Sequence, residues 1–378
     1  MAPDSQAVLT IDAARLNAER AGIENFLLGL LGPLTRAWLE LPGAERRVTV
    51  FSGPSTEALE NLAGGSPATV VKGGGPGWTQ ARLPGALRAA RSSVHFSPIP
   101  VLPIALRLPC PAVVTVHDLL EFRARWWYFR RLIGRTLQTS VRVICVSEAT
   151  RQEVVREFPS AAAKCVVVHE AADANLYRPA VAKTELPATL SRLGVTVPPL
   201  LAVGTVQPRK NYARLIAAYR SLVGNIDDLP PLVIVGGPGW NFEPIHALPE
   251  QLGIADRVHF AGHVEREELA DLMRHSRLLC AVSLAEGFGL PLVEAMFSGL
   301  PILAADIPPF REVAGAAARF VDPLDEGSIA SGLRMLLSSP GEMLEMGRTG
   351  LGRRQLFSWD RAAGDIVSEL ERARLTAL

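Results

Sequence analysis

Net charge, cysteine and long apolar runs are all scarce in this chain of 378 residues. Lys and Arg number 39 against 38 Asp and Glu, which leaves no basic footprint for wrapping nucleic acid, so no nucleic-acid partner is expected. The four cysteines, Cys110, Cys145, Cys165 and Cys280, are far apart, with no Cys-x-x-Cys and no Cys/His pairing. That spacing argues against a zinc site or a disulfide framework and for buried free thiols. No apolar run approaches the roughly 20 residues that span a bilayer, and the opening residues lack the basic-then-apolar layout of a signal peptide. A cytoplasmic protein is expected. Neither an Asp-x-Asp element nor a His/Asp cluster occurs, so no metal is expected and no other cofactor is implied.

What is present is an alternation. Hydrophobic residues make up 48% of the chain and charged ones 20%, the balance of a folded protein, and the length suits two domains with a core each. Short apolar runs recur, each followed by a helical pattern: AVLTID, RRVTVFS, SSVHFSP, AVVTVHD, VRVICVS and KCVVVHE, then PLLAVGTV, PLVIVGG, RVHFAGH, RLLCAVS, LPILAAD and ARFVD. Continuous runs without polar alternation are strands buried on both faces, and strands alternating with helices make parallel sheets. Two doubly wound α/β domains follow, over 1–180 and 181–355. A proline-rich linker falls near 178–198, and a C-terminal helix over 356–378 can pack back on the first domain. The KGGGPGW patch at 72–78 could cradle a phosphate, although a surface loop is the favoured reading.

In open α/β sheets ligands bind beyond the carboxyl ends of the strands. Four such places carry unusual residues. In SLAEGFGLPLVEAMFSG, the Gly-Phe-Gly-Leu-Pro turn is predicted to open a helix that stops at Gly299. Its free N–H groups and positive dipole end suit a phosphate or a sugar hydroxyl, with Glu286 at the strand end and Glu294 in the first helical turn facing one mouth. In LAVGTVQPRKN, a strand ends at Gly204 and the turn presents Arg209 and Lys210, a pair able to hold a diphosphate. In AVVTVHD, His117 can donate to a substrate oxygen or shuttle a proton, while Asp118 holds its other ring nitrogen or caps the next helix. Gly22 opens an apolar helix after the first strand. Each has a plainer reading: Glu294 complementing a helix dipole, a solvated basic turn, a structural histidine, and a glycine serving helix packing.

Taken together these residues resemble the retaining nucleotide-sugar glycosyltransferases of family 4, over nearly the whole chain. The matching elements are the E-x7-E spacing of Glu286 and Glu294 followed by GLPILAAD, the GTVQPRKN segment, the VTVHD strand and VICVSEATRQEVV. The resemblance implies a GT-B arrangement, two Rossmann-like domains facing across a cleft, and a catalytic set of His117, Glu286, Arg209 and Lys210. By the same likeness, Glu286 and the backbone of Gly287, Phe288 and Gly289 hold hydroxyls of the transferred sugar, and Glu294 holds the ribose diol. Arg209 and Lys210 neutralise the diphosphate, and His117 hydrogen-bonds the donor sugar. Gly22 lets the first domain approach the phosphate or acceptor, Gly204 and Leu290 belong to the donor site, and Val264 lies in the loop near the base. The implied reaction moves a hexose from a UDP- or GDP-linked donor to a carbohydrate or lipid-linked acceptor. The alternatives are a sugar-nucleotide epimerase or hydrolase, and a non-catalytic nucleotide-sugar-binding subunit. The aromatic and basic stretch FRARWWYFRRLIGR, 122–135, is of the kind that can sit on a membrane surface, although core packing with a solvated basic face is the favoured reading.

Overall fold

The computed structural model describes residues 6–14, 22–53, 68–120, 126–179 and 186–376, with side chains set aside for 126–129. The chain divides into two compact units, residues 1–171 with 358–378, and residues 172–357. The passage from one to the other falls at Ala171/Ala172, ahead of the proline-rich 178–198 stretch. That stretch belongs instead to the second unit, where Ala188–Arg192 is a short helix held by Thr189 N donating to Glu268 Oε1 at 2.7 Å. Its residues 180–185 lie outside the described residues.

The first unit is built on a seven-stranded sheet in the order β3-β2-β1-β4-β5-β6-β7. Its strands are β1 (Gln6–Ala13), β2 (Glu45–Ser52), β3 (Ala68–Lys72), β4 (Val94–Ser97), β5 (Ala112–Val116), β6 (Arg142–Cys145) and β7 (Cys165–Val167), and every pairing is parallel. Every residue of β4 and β5 is buried, as expected for strands covered on both faces. β3 was not expected from the sequence: it is a short edge strand, Ala-Thr-Val-Val before a lysine, with Ala68 and Val70 half-buried and the other residues exposed. One sheet face packs on the helix Gly22–Leu39 and on the C-terminal helix Trp359–Thr376, through Phe26, Leu30, Leu34, Trp38, Ile366 and Leu370. Arg46 of β2 forks onto Glu371 at 3.0 and 3.1 Å, and Arg142 of β6 donates to Glu369 at 2.8 Å. Hydrogen bonding from Arg374, helped by Arg46, outweighs the upward push of burial and brings the Glu371 carboxyl down to about 2. The last helix is therefore part of the first unit.

The second unit carries a six-stranded parallel sheet in the order β10-β9-β8-β11-β12-β13. The strands are β8 (Leu200–Val203), β9 (Leu232–Val235), β10 (Val258–Gly262), β11 (Leu278–Ala281), β12 (Ile302–Ala305) and β13 (Ala318–Val321). Strand order reverses between β1 and β4 in one sheet and between β8 and β11 in the other, and ligands of such folds bind at these reversals. All four cysteines are free thiols; Cys145 and Cys280 are buried as expected, whereas Cys110 and Cys165 are only partly so.

Candidate active site

The strand reversal of the second sheet brings three of the expected residues into contact. After β8 the chain makes a tight turn, Pro208–Lys210, and then the helix Tyr212–Arg220 begins. Asn211 joins the two in the left-handed region, φ 62°, which asparagine tolerates better than most residues. Its buried side-chain amide donates to Val282 O at 3.0 Å and to Pro323 O at 2.7 Å, and Leu284 N donates to Arg209 O at 2.9 Å. The loops after β8, β11 and β13 are thus stitched together, and Arg209 and Lys210 face the strand end that bears Glu286.

Arg209 Nη1 donates to Glu286 Oε2 at 2.7 Å and to Ala285 O at 3.0 Å, and Lys210 Nζ donates to Glu286 Oε1 at 2.7 Å. The side chains of Arg209, Lys210 and Glu286 are 21%, 14% and 11% exposed, so this is a largely desolvated cluster of net charge +1. Burial alone would raise the Glu286 pKa. The charges of Lys210 and Arg209, with hydrogen bonds from Lys210 and Ser283, outweigh it and hold the carboxyl below its ordinary value. Such charge-assisted bonds fix both cations before any ligand arrives. Below them a small cavity is lined by Lys210, Tyr212, Ser283, Glu286, Gly289 and Phe310.

Gly289 caps the helix Leu290–Ser298 with φ 111°, and a side chain there would put its first carbon 2.7 Å from the Phe310 ring. Only glycine fits both constraints. Pro291 stands at the second helical position and Gly299, φ 69°, ends the helix. Phe288 points inward, its ring 6.0 Å from that of Phe357, so the Gly287, Phe288 and Gly289 segment offers backbone rather than side chains. Leu290 is half-buried, as the first residue of that helix.

Glu294 departs from expectation. It is the fifth residue of the helix, not part of the first turn, and it is buried. Counted along the helix it lies one turn beyond the dipole end. The phenol of Tyr177 faces it: burial, then the Glu294 charge and hydrogen bond, push that phenol well above its ordinary value. Gly204 lies where β8 ends; its carbonyl accepts from Tyr212 Oη at 3.0 Å and is approached so closely by Gly236 that any side chain at 236 would start 2.2 Å from it. Val264, just beyond β10, has its side chain buried.

Gly22 and His117 belong to the first unit. Gly22 is exposed at the helix start, and an added side chain there would meet nothing within 4 Å, so no close approach of the chain itself demands glycine. Residues 15–21, which lead into it, lie outside the described residues. His117, just past β5, is enclosed: Nδ1 is 2.8 Å from Glu170 Oε1, Nε2 is 2.9 Å from Pro98 O, and the ring packs edge-on against Phe26 at 4.8 Å. Asp118 does not hold the ring. It accepts from Leu120 N at 2.9 Å in a local turn. The expected VICVSEATRQEVV segment contributes Ser147, which caps the helix Glu148–Glu157, and Thr150, whose hydroxyl donates to His117 O at 3.2 Å. Of the stretch 122–135, residues 122–125 and the side chains of 126–129 lie outside the described residues, while Arg130, Arg131 and Arg135 are exposed.

The family model for glycosyl transferases group 1 matches residues 193–352, and that for Glycosyltransferase Family 4 matches residues 40–176. The chain is a group 1 glycosyltransferase of the family 4 kind. It is 27% identical over 290 residues to the O-antigen chain mannosyltransferase B of Escherichia coli, covering 75% of each chain. With the MMP alpha-(1->4)-mannosyltransferase of Mycolicibacterium hassiacum the identity is 31% over 284 residues, 70% of this chain and 66% of that one. Among solved structures, Anabaena Alr3699/HepE in complex with UDP and glucose superposes with a TM-score of 0.76 at 19% identity, over 97% of this chain and all of the other. This glycosyltransferase accordingly has the two-domain α/β GT-B fold.

Asn211, Tyr177 and Glu170 are the site residues that reading the sequence overlooked. The first stands at a strand-to-helix junction, where an asparagine signals a left-handed cap. Tyr177 and Glu170 lie in EAADANLYRP, directly after a strand run, where a carboxylate is a candidate by position alone. Among the described residues no helix is long and apolar enough to cross a membrane, and no group of three His, Cys, Asp or Glu side chains is placed to hold a metal ion.

Proposed function

We propose that this glycosyltransferase moves a hexose from a UDP- or GDP-linked donor to an acceptor hydroxyl with retention at the anomeric carbon, in the assembly of a glycan, polysaccharide or glycolipid. The observation that carries the reading is the Arg209–Lys210–Glu286 cluster at the strand reversal of the second sheet, beside a glycine-capped helix start. Two fixed cations suit a diphosphate, and the charge they oppose grows as the glycosidic bond breaks. Glu286 accepts hydroxyl hydrogen bonds of the sugar, the Gly287, Phe288 and Gly289 backbone supplies donors, and Glu294 with Tyr177 takes the ribose diol. The names of the two mannosyltransferase relatives favour mannose among hexoses, and the UDP complex of the Anabaena structure supports a nucleotide donor.

In this scheme the bond from C1 to the diphosphate oxygen breaks first, its electron pair leaving with the nucleoside diphosphate and C1 passing through an oxocarbenium-like state. The acceptor oxygen then bonds to C1 from the same face, and its proton goes to the departing phosphate oxygen. No enzymic nucleophile is used, in contrast to the double displacement of retaining hydrolases. The two cations take the place of a metal, so dialysis against EDTA should leave the rate unchanged. A cytoplasmic enzyme working beside a membrane that presents a lipid-linked acceptor is the setting we propose.

Proton NMR of a reaction with UDP-glucose, GDP-mannose and a panel of acceptors tests the reading. Donor consumed only when acceptor is present, with product carrying the donor's anomeric configuration, supports it. Equal consumption without acceptor points to a hydrolase or epimerase, and an inverted product overturns retention.

A further inference from the structure

The His117 ring has no free nitrogen. Pro98 O can only accept, so Nε2 carries a hydrogen; Nδ1 meets Glu170 Oε1 at 2.8 Å, a distance typical of charge-assisted bonds. We infer that Glu170 is a positioning residue that holds His117 as an imidazolium donating from both nitrogens, so that the ring serves the reaction as a fixed positive charge and not as a base or proton shuttle.

The surroundings agree. The side chains of His117 and Glu170 are 16% and 5% exposed, and Phe26 closes one edge of the ring. The ionisable groups acting on it are Glu170 and, more weakly, Asp118. A second buried histidine of the same unit supplies the control. His95 on β4 has Thr10 Oγ1 at 3.0 Å from Nδ1 and, among the described residues, no carboxylate partner, and burial drives it down to about 4. Burial pushes His117 the same way, yet its net shift is upward, because the hydrogen bond and charge of Glu170, then Pro98 and Asp118, outweigh desolvation. Glu170 is the feature that separates the two.

The consequence for catalysis rests on the transfer reading above. A histidine with a free lone pair near neutral pH is a competent base. Held as an imidazolium, His117 can offer a sugar oxygen N–H groups and charge but no lone pair, so the acceptor proton is left to the departing phosphate.

The test is independent of turnover: nitrogen-15 histidine NMR of the full-length protein, with the His117 signals assigned by their loss in His117→Gln. The expected result is both ring nitrogens protonated at pH 7, with titration above the ordinary value of about 6.5. Glu170→Gln should lower that midpoint by about one pH unit or more, and the alkaline limb of the kcat profile should move with it. Glu170→Asp, which keeps the charge, should restore part of both shifts and guards against misfolding of the first variant. A neutral, singly protonated His117 at pH 7, or a midpoint unmoved in both variants, overturns the inference. If the NMR result is as expected but no glycosyl transfer is found, the charged ring stands and the functional reading falls.

Discussion

The two units share a scaffold and differ in what they place just beyond the carboxyl ends of its strands. Both sheets run outward in both directions from a central pair, β1 and β4 or β8 and β11. At the edge of the second, Arg209, Lys210 and Glu286 interlock and Asn211 stitches three loops together beneath them. At the edge of the first, one histidine is closed on both sides by a carboxylate and a carbonyl. The same fold thus supports two largely desolvated clusters of opposite make-up, one with two cations on a single carboxylate and one with a carboxylate and a carbonyl on a single histidine. The difference lies in a few side chains on short loops, which is why fold alone would not assign the chemistry.

The comparison breaks most visibly by removing the cations. Arg209→Ala with Lys210→Ala should lower turnover about 10²- to 10³-fold or more, since removing one positioned electrostatic donor costs roughly that much. Steady-state kinetics on each single and the double variant would check this; a loss below tenfold would mean the cluster is structural. Next in size is the stitch. Asn211→Ala takes the donor from two buried carbonyls and loses asparagine's tolerance of the left-handed region at φ 62°, for a loss of about 2 to 3 kcal/mol. Calorimetry should show that loss in the second unit's transition and leave the first unchanged, and Asn211→Gly, which loses the same hydrogen bonds but suits the left-handed backbone, should lose less.

In the first unit the analogous lock is ionic. Glu371→Gln should cost about 1.5 kcal/mol, a figure reduced for its partial exposure, and should blunt acid sensitivity. Because the Glu371 pKa is lowered in the fold, from 4.5 to about 2, its stabilisation is complete above the unfolded value and lost as pH falls toward 2. His117 has the opposite sign. Its pKa is raised, so its contribution is full below about 6.5 and fades as pH rises through the folded value. Melting curves from pH 3 to 9 for wild type, Glu371→Gln and Glu170→Gln would separate the two trends. The smallest effect is the cap: Ser147→Ala should cost about 1 kcal/mol by thermal denaturation.

Strands buried on both faces were legible because burial leaves an uninterrupted apolar run, as in AVVTV and LVIV. β3 was not, since only Ala68 and Val70, on one face, are partly covered. The cation pair and the glycine-capped helix were legible for a similar reason: each sits directly after a strand run, with residue types that suit few other places. What stayed hidden was partnership. That Glu286 binds Arg209 and Lys210, 77 and 76 residues away, or that Glu170 binds His117 across 53, depends on which strands become neighbours. The spacing of Glu286 and Glu294 suggested a shared mouth, whereas the fold gives each carboxylate different partners.

The most direct test of the central claim, that Arg209, Lys210 and Glu286 form a nucleoside-diphosphate clamp, is a thermal-shift titration of wild type and the Arg209→Ala/Lys210→Ala variant with UDP and GDP. A ligand that binds only the folded state adds about 2.7 kcal/mol of stability at a hundred times its dissociation constant. The account predicts that one nucleotide raises the wild-type melting temperature and that the variant, still cooperatively folded, loses the response. A variant that responds as fully as wild type would contradict it.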